Sequence, residues 1–249
     1  MAKLANSPRS ESSLTPTRRS LPRMARVKRG PGRPRLEDAA RLAARSRILD
    51  AARRLFSTHG FECTTTRDIG ERAGVDAALV NYYFKTKEDL REIILREVED
   101  ESAARLRPLV EDRSRPAVQR FPEVVDTLVA ILADHPEFLP LLTELTIEGV
   151  AVPWPDSLGL VRTCIEDVLG ETRGAARPDS ATLSVMLLGM VAWPFIFRRT
   201  GRRHFGFDIS DGTTRSQYTA QIVKLVLAAI DANSAGTPPA RRAQTARAH

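Results

Sequence analysis

Apolar residues recur at helical spacing over most of the chain, and no segment shows the alternation typical of a β-strand. The first such pattern begins near Leu42 and stops at His59-Gly60, a common signal for a helix C-terminus. Another helix is predicted from about Thr86 to Arg107, where Pro108 should end it. Further helices are predicted, with borders marked by proline or glycine, at 121–134, 136–148, 155–169, 179–199 and 212–232. The pattern predicts an all-α protein with a small N-terminal domain and a larger C-terminal one.

Three signals for a helix N-terminus lie close together between residues 65 and 89. The segments Thr65–Asp68 and Thr86–Asp89 both have the spacing of a capping box. Asp76 follows Gly74-Val75 and is a favourable N-cap for the short helix after it. A helix, a glycine-containing turn and a second helix predict a helix-turn-helix motif at residues 65–84.

The second helix of this motif has one buried face and one face left for a partner. Val80 and Phe84 are four residues apart and should both pack inward. Two alanines make the start of the helix narrow, which suits close approach to base edges in a major groove. Ala78 or Leu79 could contact a thymine methyl group. The residues predicted to face DNA on this helix are Ala77, Ala78, Leu79, Asn81 and Tyr83.

Polar side chains around this helix are candidates for contacts to the DNA backbone. Asn81 and Tyr83 carry donors suited to phosphate oxygens, and so do Thr66 and Arg67 of the preceding helix. Lys87 opens the following helix and should contact the backbone again. Aromatic and cationic residues are crowded at the end of this short helix because some of them anchor it and others are predicted to contact phosphate.

The positive charge of the chain is concentrated in its first 36 residues. This arm holds ten Lys/Arg and one acidic residue, a formal charge of +9, so the remaining residues carry −2 of the total of +7. A basic arm favours a polyanionic partner, above all nucleic acid. Its composition predicts disorder when the arm is alone, as does that of residues 234–249. Met24 lies inside the arm and is an alternative start of translation.

One short motif in the arm resembles the core of an AT-hook. Residues 28–35 read KRGPGRPR, in which Arg33 and Arg35 flank Pro34. The resemblance implies insertion into a narrow A·T-rich minor groove, where the negative potential is enhanced. The alternative is a solvated tail that only attracts phosphates nonspecifically.

The chain from about Arg45 to Leu90, roughly a fifth of its length, resembles the DNA-binding domain of the TetR/AcrR family of transcriptional regulators. The matching segments are ILDAARRLFSTHGF, TTTRDIGERAGV and NYYFKTKEDL. The sequence departs from the family at Gly70, where alanine is usual, and at Asn81, where tyrosine is commoner.

The resemblance implies a domain plan and a mode of action. Residues 37–87 would form the DNA-binding domain, and residues 88–233 a helical domain for effector binding and dimerisation. Helices 179–199 and 212–232 would form the interface of a homodimer that binds an inverted-repeat operator in double-stranded DNA. A small-molecule effector would then release a repressor from its operator. The alternative is a DNA-binding or architectural protein without such an effector.

Aromatic and methionine side chains in the second half of the chain are candidates for an apolar effector pocket. The alternative for each is an ordinary place in the core or in a dimer interface. The candidate pocket residues are Phe138, Trp154, Met186, Met190 and Trp193.

Other classes of protein have little support. Residues 180–197 lack charge over a length that could span a membrane, but Pro194 and three hydroxyl residues favour a buried helix in a soluble protein. The two cysteines and four histidines are scattered, so we expect no disulfide, metal site, cofactor or catalytic activity. A cytoplasmic DNA-binding regulator is the expected function.

Overall fold

The computed structural model describes residues 36–149, 156–172 and 178–234, and the regular structure within these ranges is entirely α-helical. The helices are α1 (Leu36–His59), α2 (Thr66–Ala73), α3 (Ala77–Tyr83), α4 (Lys87–Glu111), α5 (Ala117–Asp134), α6 (Phe138–Ile147), α7 (Asp156–Glu171), α8 (Ser180–Ile196), α9 (Arg198–Phe205) and α10 (Gly212–Ser234). The predicted all-α fold class is therefore confirmed.

Helices α1, α2 and α3 pack into a small N-terminal unit. Ile48 and Phe56 of α1 meet Ile69 of α2, and all three side chains are buried. Val80 and Phe84, predicted to anchor the short third helix, are buried in the same cluster. Burial of these apolar side chains holds α3 against α1 and α2 and leaves its other face outward.

The C-terminal unit is built around α5, which packs against α4, α7, α8 and α10. Its core is largely aliphatic and includes Leu106, Val124, Val125, Ile165, Leu187 and Val226. Helix α4 belongs to both units, because its first turn adjoins α3 and its later turns pack against α5 and α7.

Helix α4 continues past Pro108 to Glu111, and the predicted end at Arg107 is wrong. Proline lacks the N–H that would bond to the carbonyl four residues earlier, so a helix usually stops there. In this fold the last turn has a partner from α5: the buried guanidinium of Arg120 donates to the carbonyls of Leu109 and Val110. Carbonyls in the last turn of a helix have no N–H group within the helix to bond with, and Arg120 supplies the missing donors.

Helix α5 begins at Ala117, four residues before the predicted start, and includes Pro122. Glu171 at the end of α7 accepts hydrogen bonds from the backbone N–H of Ala117 at 2.6 Å and of Val118 at 3.1 Å. A carboxylate at a helix N-terminus stabilises it through both the free N–H groups and the helix dipole. The early start of α5 therefore depends on a contact with α7.

The predicted helix 179–199 is two helices, because α8 ends at Ile196 and α9 continues at a bend of 76°. Pro194 cannot donate to the Met190 carbonyl, and the hydroxyl of Tyr218 on α10 donates to that oxygen instead, at 2.7 Å.

In the described part of the chain no single helix is long and apolar enough to cross a membrane; α8 and α9 meet that length and composition only as a bent pair.

Candidate nucleic-acid interface and ligand cavity

Local hydrogen bonds define both ends of α2. Thr65 Oγ1 accepts from the N–H of Asp68 at 3.2 Å, and Asp68 accepts from the N–H of Thr65 at 2.9 Å, which completes the predicted capping box. The hydrogen bond from the Thr65 side chain is the main cause of the lowered pKa of Asp68. Gly74 ends the helix in the left-handed region, with φ of 67°.

The turn between α2 and α3 is close-packed. The N–H of Val75 donates to the carbonyl of Gly70 at 3.0 Å, and Asp76 accepts from the N–H of Ala78 at 2.7 Å as the predicted N-cap of α3. A Cβ at Gly70 would lie 3.0 Å from the Val75 carbonyl oxygen. Glycine at position 70 therefore allows α3 to approach α2 more closely than an alanine would.

The outward face of α3 carries Ala78, Asn81 and Tyr82, all exposed. Ala77 and Leu79 are half-buried at its edges. Tyr82 is 71% exposed and was not among the predicted residues. It lies four residues after Ala78, so helical spacing already placed it on this face.

Tyr83 is only half exposed, because its ring packs against the core and meets Tyr82 edge-on at 5.4 Å between ring centres. Thr66 is likewise half-buried, at the start of α2.

The cations around α3 differ in their exposure and in the contacts that they already make within the protein. Arg67 is exposed and pairs only with Glu71 on the same helix, at 3.1 Å. Lys85 is exposed directly after α3 and was also not predicted. Lys87, by contrast, donates to the Phe61 carbonyl at 2.9 Å and lies 4.1 Å above the Phe61 ring. That ring contact is a cation–π interaction, so Lys87 holds α4 to the α1–α2 turn.

Charged side chains also join the N-terminal unit to α4 and α6. Arg91 lies 4.1 Å above the Phe61 ring and binds both carboxylate oxygens of Glu148, at 3.0 and 3.1 Å. Arg53 of α1 binds Glu97 of α4 and Glu137 beside α6, each at 2.7 Å. A bidentate pair and a shared guanidinium are geometrically specific contacts, so this junction couples the positions of the helices.

A cavity of about 450 Å³ lies between α4, α5, α6, α7 and α8. Its walls are mostly aliphatic and include Leu128, Ile131, Leu139, Leu142, Leu188 and Val191. The volume and the apolar lining are those of a small-molecule site. The lining also includes four polar side chains, those of Glu99, Ser102, Thr146 and Ser157.

The structure brings one of the predicted pocket residues, Phe138, to the cavity wall. Met190 packs against the core instead, and it lies outside the lining. Met186 and Trp193 are 56% and 58% exposed on the opposite side of α8, because that helix turns Leu188 and Val191 toward the cavity. Trp154 lies outside the described residues, as do Arg33 and Arg35 of the arm.

Within the described ranges, no group of three or more His, Cys, Asp and Glu side chains is placed to hold a metal ion. The geometry there offers two surfaces of interest: the outward face of α3 with its neighbouring cations, and the apolar cavity.

These features define an all-helical fold with an N-terminal helix-turn-helix unit and a C-terminal helical unit that contains a cavity. Residues 48–94 match the family described as bacterial regulatory proteins, tetR family. The match covers about a fifth of the chain and contains α2 and α3.

Curated proteins similar to parts of the chain are transcriptional regulators. The regulator BetI of Cronobacter sakazakii is 37% identical over 71 residues, which cover 27% of this chain and 35% of BetI. The matches to curated relatives span about a third to three fifths of those proteins' own length.

Solved structures share the fold over most of the chain at low identity. The ketosteroid transcriptional regulator KstR2 of Mycobacterium tuberculosis has a TM-score of 0.60 and 18% identity, covering 75% of this chain and 94% of KstR2. The transcriptional regulator FadR of Bacillus subtilis, solved in complex with stearoyl-CoA, has a TM-score of 0.57 and 16% identity, covering 75% and 99%.

Proposed function

We propose that the protein is a sequence-specific, DNA-binding transcriptional regulator that acts in the cytoplasm. The observation that carries this proposal is the outward face of α3. That helix is capped at its start by Asp76, anchored by Val80 and Phe84, and turned outward with Ala78, Asn81 and Tyr82 exposed. A rigid helix with a narrow tip is suited to a major groove. The proposed activity is binding rather than catalysis.

The proposed phosphate contacts come from Thr66, Arg67, Asn81, Tyr83 and Lys85. Lys87 is reassigned mainly to the junction with Phe61, although its half-exposed side chain leaves room for a further contact. The arginines at 33 and 35 would add minor-groove contacts from the arm.

The regulator is proposed to act as a homodimer through α8 and α10. The exposed side of these helices carries large apolar residues, whose exposure in a single chain is unfavourable. They are Val185, Met186, Trp193, Ile196 and Leu225. Two-fold symmetry would then place two copies of α3 in successive major grooves, about 34–36 Å apart or somewhat more.

A matched pair of exposed leucines tests the dimer. Leu225 on α10 is 60% exposed and Leu42 on α1 is 65% exposed. We expect Leu225→Glu to raise the dimer dissociation constant at least tenfold, because a charge would be buried in the interface, whereas Leu42→Glu should have no effect. Sedimentation velocity over a range of concentrations measures both. Equal behaviour of the two variants would contradict an interface on α10.

The protein is proposed to be a repressor that an apolar effector releases from DNA. Two facts support a ligand site: the apolar cavity, and the similarity in fold to a FadR that was solved with stearoyl-CoA. Helix α4 begins beside the helix-turn-helix at Lys87 and passes the cavity at Glu99 and Ser102. A ligand that fits better when α4 has shifted would lower operator affinity by linkage.

A footprint of the purified protein on DNA that flanks its own gene tests the function. A protected inverted repeat at low and moderate salt is the expected result. Broad coverage that disappears as salt rises would instead support the alternative, a DNA-binding or architectural protein dominated by its basic arm.

A further inference from the structure

We propose that the cavity selects an apolar ligand whose head group is a hydrogen-bond donor, either an amine or a neutral alcohol, and that it rejects carboxylates. The head group is placed on the carboxylate of Glu99. This inference rests on the proposed function only in treating the cavity as the effector site.

Glu99 is a buried carboxylate with a fixed orientation. It is 9% exposed, and its two oxygens accept from Ser157, one from the backbone N–H at 2.8 Å and one from the hydroxyl at 2.7 Å. Ser157 lies in the first turn of α7, where the free N–H groups favour an anion. Each carboxylate oxygen has two acceptor positions, so Glu99 retains acceptor capacity toward the cavity.

The other hydroxyl groups of the lining have already used their donor protons. Ser102 donates to the Val98 carbonyl at 2.6 Å, and Thr146 donates to the Leu142 carbonyl at 2.9 Å. The Ser157 hydroxyl donates to Glu99. Since a hydroxyl has one donor, the side chains of the described lining offer a ligand acceptors only.

The described lining also contains no Lys, Arg or His. A ligand carboxylate would therefore enter an apolar space without a cation or a donor, and it would face Glu99. Burial of an unpaired anion beside a like charge is strongly unfavourable. An ammonium or hydroxyl group would instead complete the hydrogen bonding of Glu99. The same rule applies to any anionic head group inside the cavity.

Three ligands with the same ten-carbon chain separate these cases: 1-decylamine, 1-decanol and decanoate, each below its micelle concentration. Calorimetric titration of the full chain should give the tightest binding for the amine, then the alcohol. Decanoate should bind at least tenfold more weakly than the amine. Equal or tighter binding of decanoate would overturn the proposal.

Glu99→Gln retains an oxygen that accepts from Ser157 and adds an amide donor to the cavity. We expect it to reduce the preference for amine over decanoate at least tenfold. Glu92→Gln is the matched control, because Glu92 is exposed on the same helix and pairs only with Arg96. An unchanged preference in Glu99→Gln would also overturn the proposal.

Leu128→Trp, which fills the cavity, verifies where the ligands bind. All binding should be lost while the circular dichroism of the folded protein is retained; amine binding that persists would place the site elsewhere and refute the proposal. Release of operator DNA is scored separately. Selective binding without release would contradict the proposed effector role and leave the selectivity of the cavity established.

Discussion

Gly74 shows how a single residue sets the geometry of the DNA-facing helix. Its φ of 67° lies in the left-handed region, and its N–H bonds to the carbonyls of Gly70 and Glu71 at the end of α2. Residues with a Cβ are disfavoured there, by roughly 1–2 kcal/mol. The direction in which α3 leaves α2 therefore depends on this glycine.

Gly74→Ala should lower the free energy of unfolding by about 1 kcal/mol, because the strain is local to one residue. Gly159→Ala is the opposite control: Gly159 lies within α7 with open space around its Cα, so alanine should stabilise by up to about 1 kcal/mol. Urea unfolding of the two variants measures both signs. Stabilisation of the protein by Gly74→Ala would contradict the left-handed conformation of residue 74 in this turn.

Arg67 on α2 and Lys85 directly after α3 are exposed cations, and they are predicted to contact phosphate. Replacing either with alanine should weaken operator binding and reduce the slope of log affinity against log salt by about 1. Arg96→Ala should change neither, since Arg96 is exposed on α4 and pairs with Glu92. Fluorescence anisotropy at several salt concentrations measures the slopes. A slope unaltered in Arg67→Ala and Lys85→Ala would remove them from the interface.

At the scale of helices, long-range contacts determine where α4 and α5 begin and end. Arg120 bonds to the carbonyls of Leu109, Val110 and Arg115, and it also reaches Asp167 on α7 at 3.4 Å. One buried side chain thereby joins three helices. Its removal would leave several carbonyls without this donor, and Asp167 with Arg113 as its remaining partner.

Arg120→Met should therefore destabilise the protein by roughly 3–5 kcal/mol, the usual cost of removing one partner from a buried charged network. Arg113 contacts the same Asp167 carboxylate from an exposed position, so Arg113→Met should cost far less. Chemical denaturation compares the two. Similar losses of unfolding free energy in the two variants would mean that the ion pair with Asp167, rather than the capped end of α4, is the main source of the stability that Arg120 provides.

At the scale of the whole molecule, the two units are joined by charged groups rather than by a continuous core alone. His135 lies between Glu101 of α4, at 3.0 Å, and Glu137 beside α6, at 3.6 Å. Glu137 also binds Arg53 of α1, and Arg105 binds both Glu101 and Asp134. The charge of the His135 imidazole therefore affects contacts that involve α1, α4 and α6.

This junction should make stability depend on pH. The nearby carboxylate of Glu137 is the main cause of the raised pKa of His135, with Glu101 acting in the same direction and burial opposing both. A raised pKa means that the folded state holds the proton more tightly. The stabilisation is complete below the ordinary value of 6.5 and is lost as pH rises through the raised pKa.

The difference in unfolding free energy between the native chain and His135→Gln should thus be larger at pH 6 than at pH 8.5. Thermal or urea unfolding at both values measures it. An equal difference at the two pH values would show that His135 contributes through packing and not through its charge.

The helix-turn-helix could be predicted from the sequence because its determinants are local. Thr65, Asp76 and Thr86 bond to backbone groups two or three residues away, and Val80 and Phe84 are one helical turn apart. Such contacts depend only on spacing and residue type. The three N-caps, the buried anchors and the outward face of α3 were accordingly present in the sequence pattern.

The remaining features were decided by tertiary structure, because their partners are far apart in the chain. Lys87 meets Phe61, Glu99 meets Ser157, and the end of α4 depends on Arg120 from the next helix. Helical periodicity shows that α8 is apolar on all sides, but it does not show which side faces the cavity and which faces outward. Only the packing of α8 against α5, α7 and α10 separates Leu188 and Val191 from Met186 and Trp193.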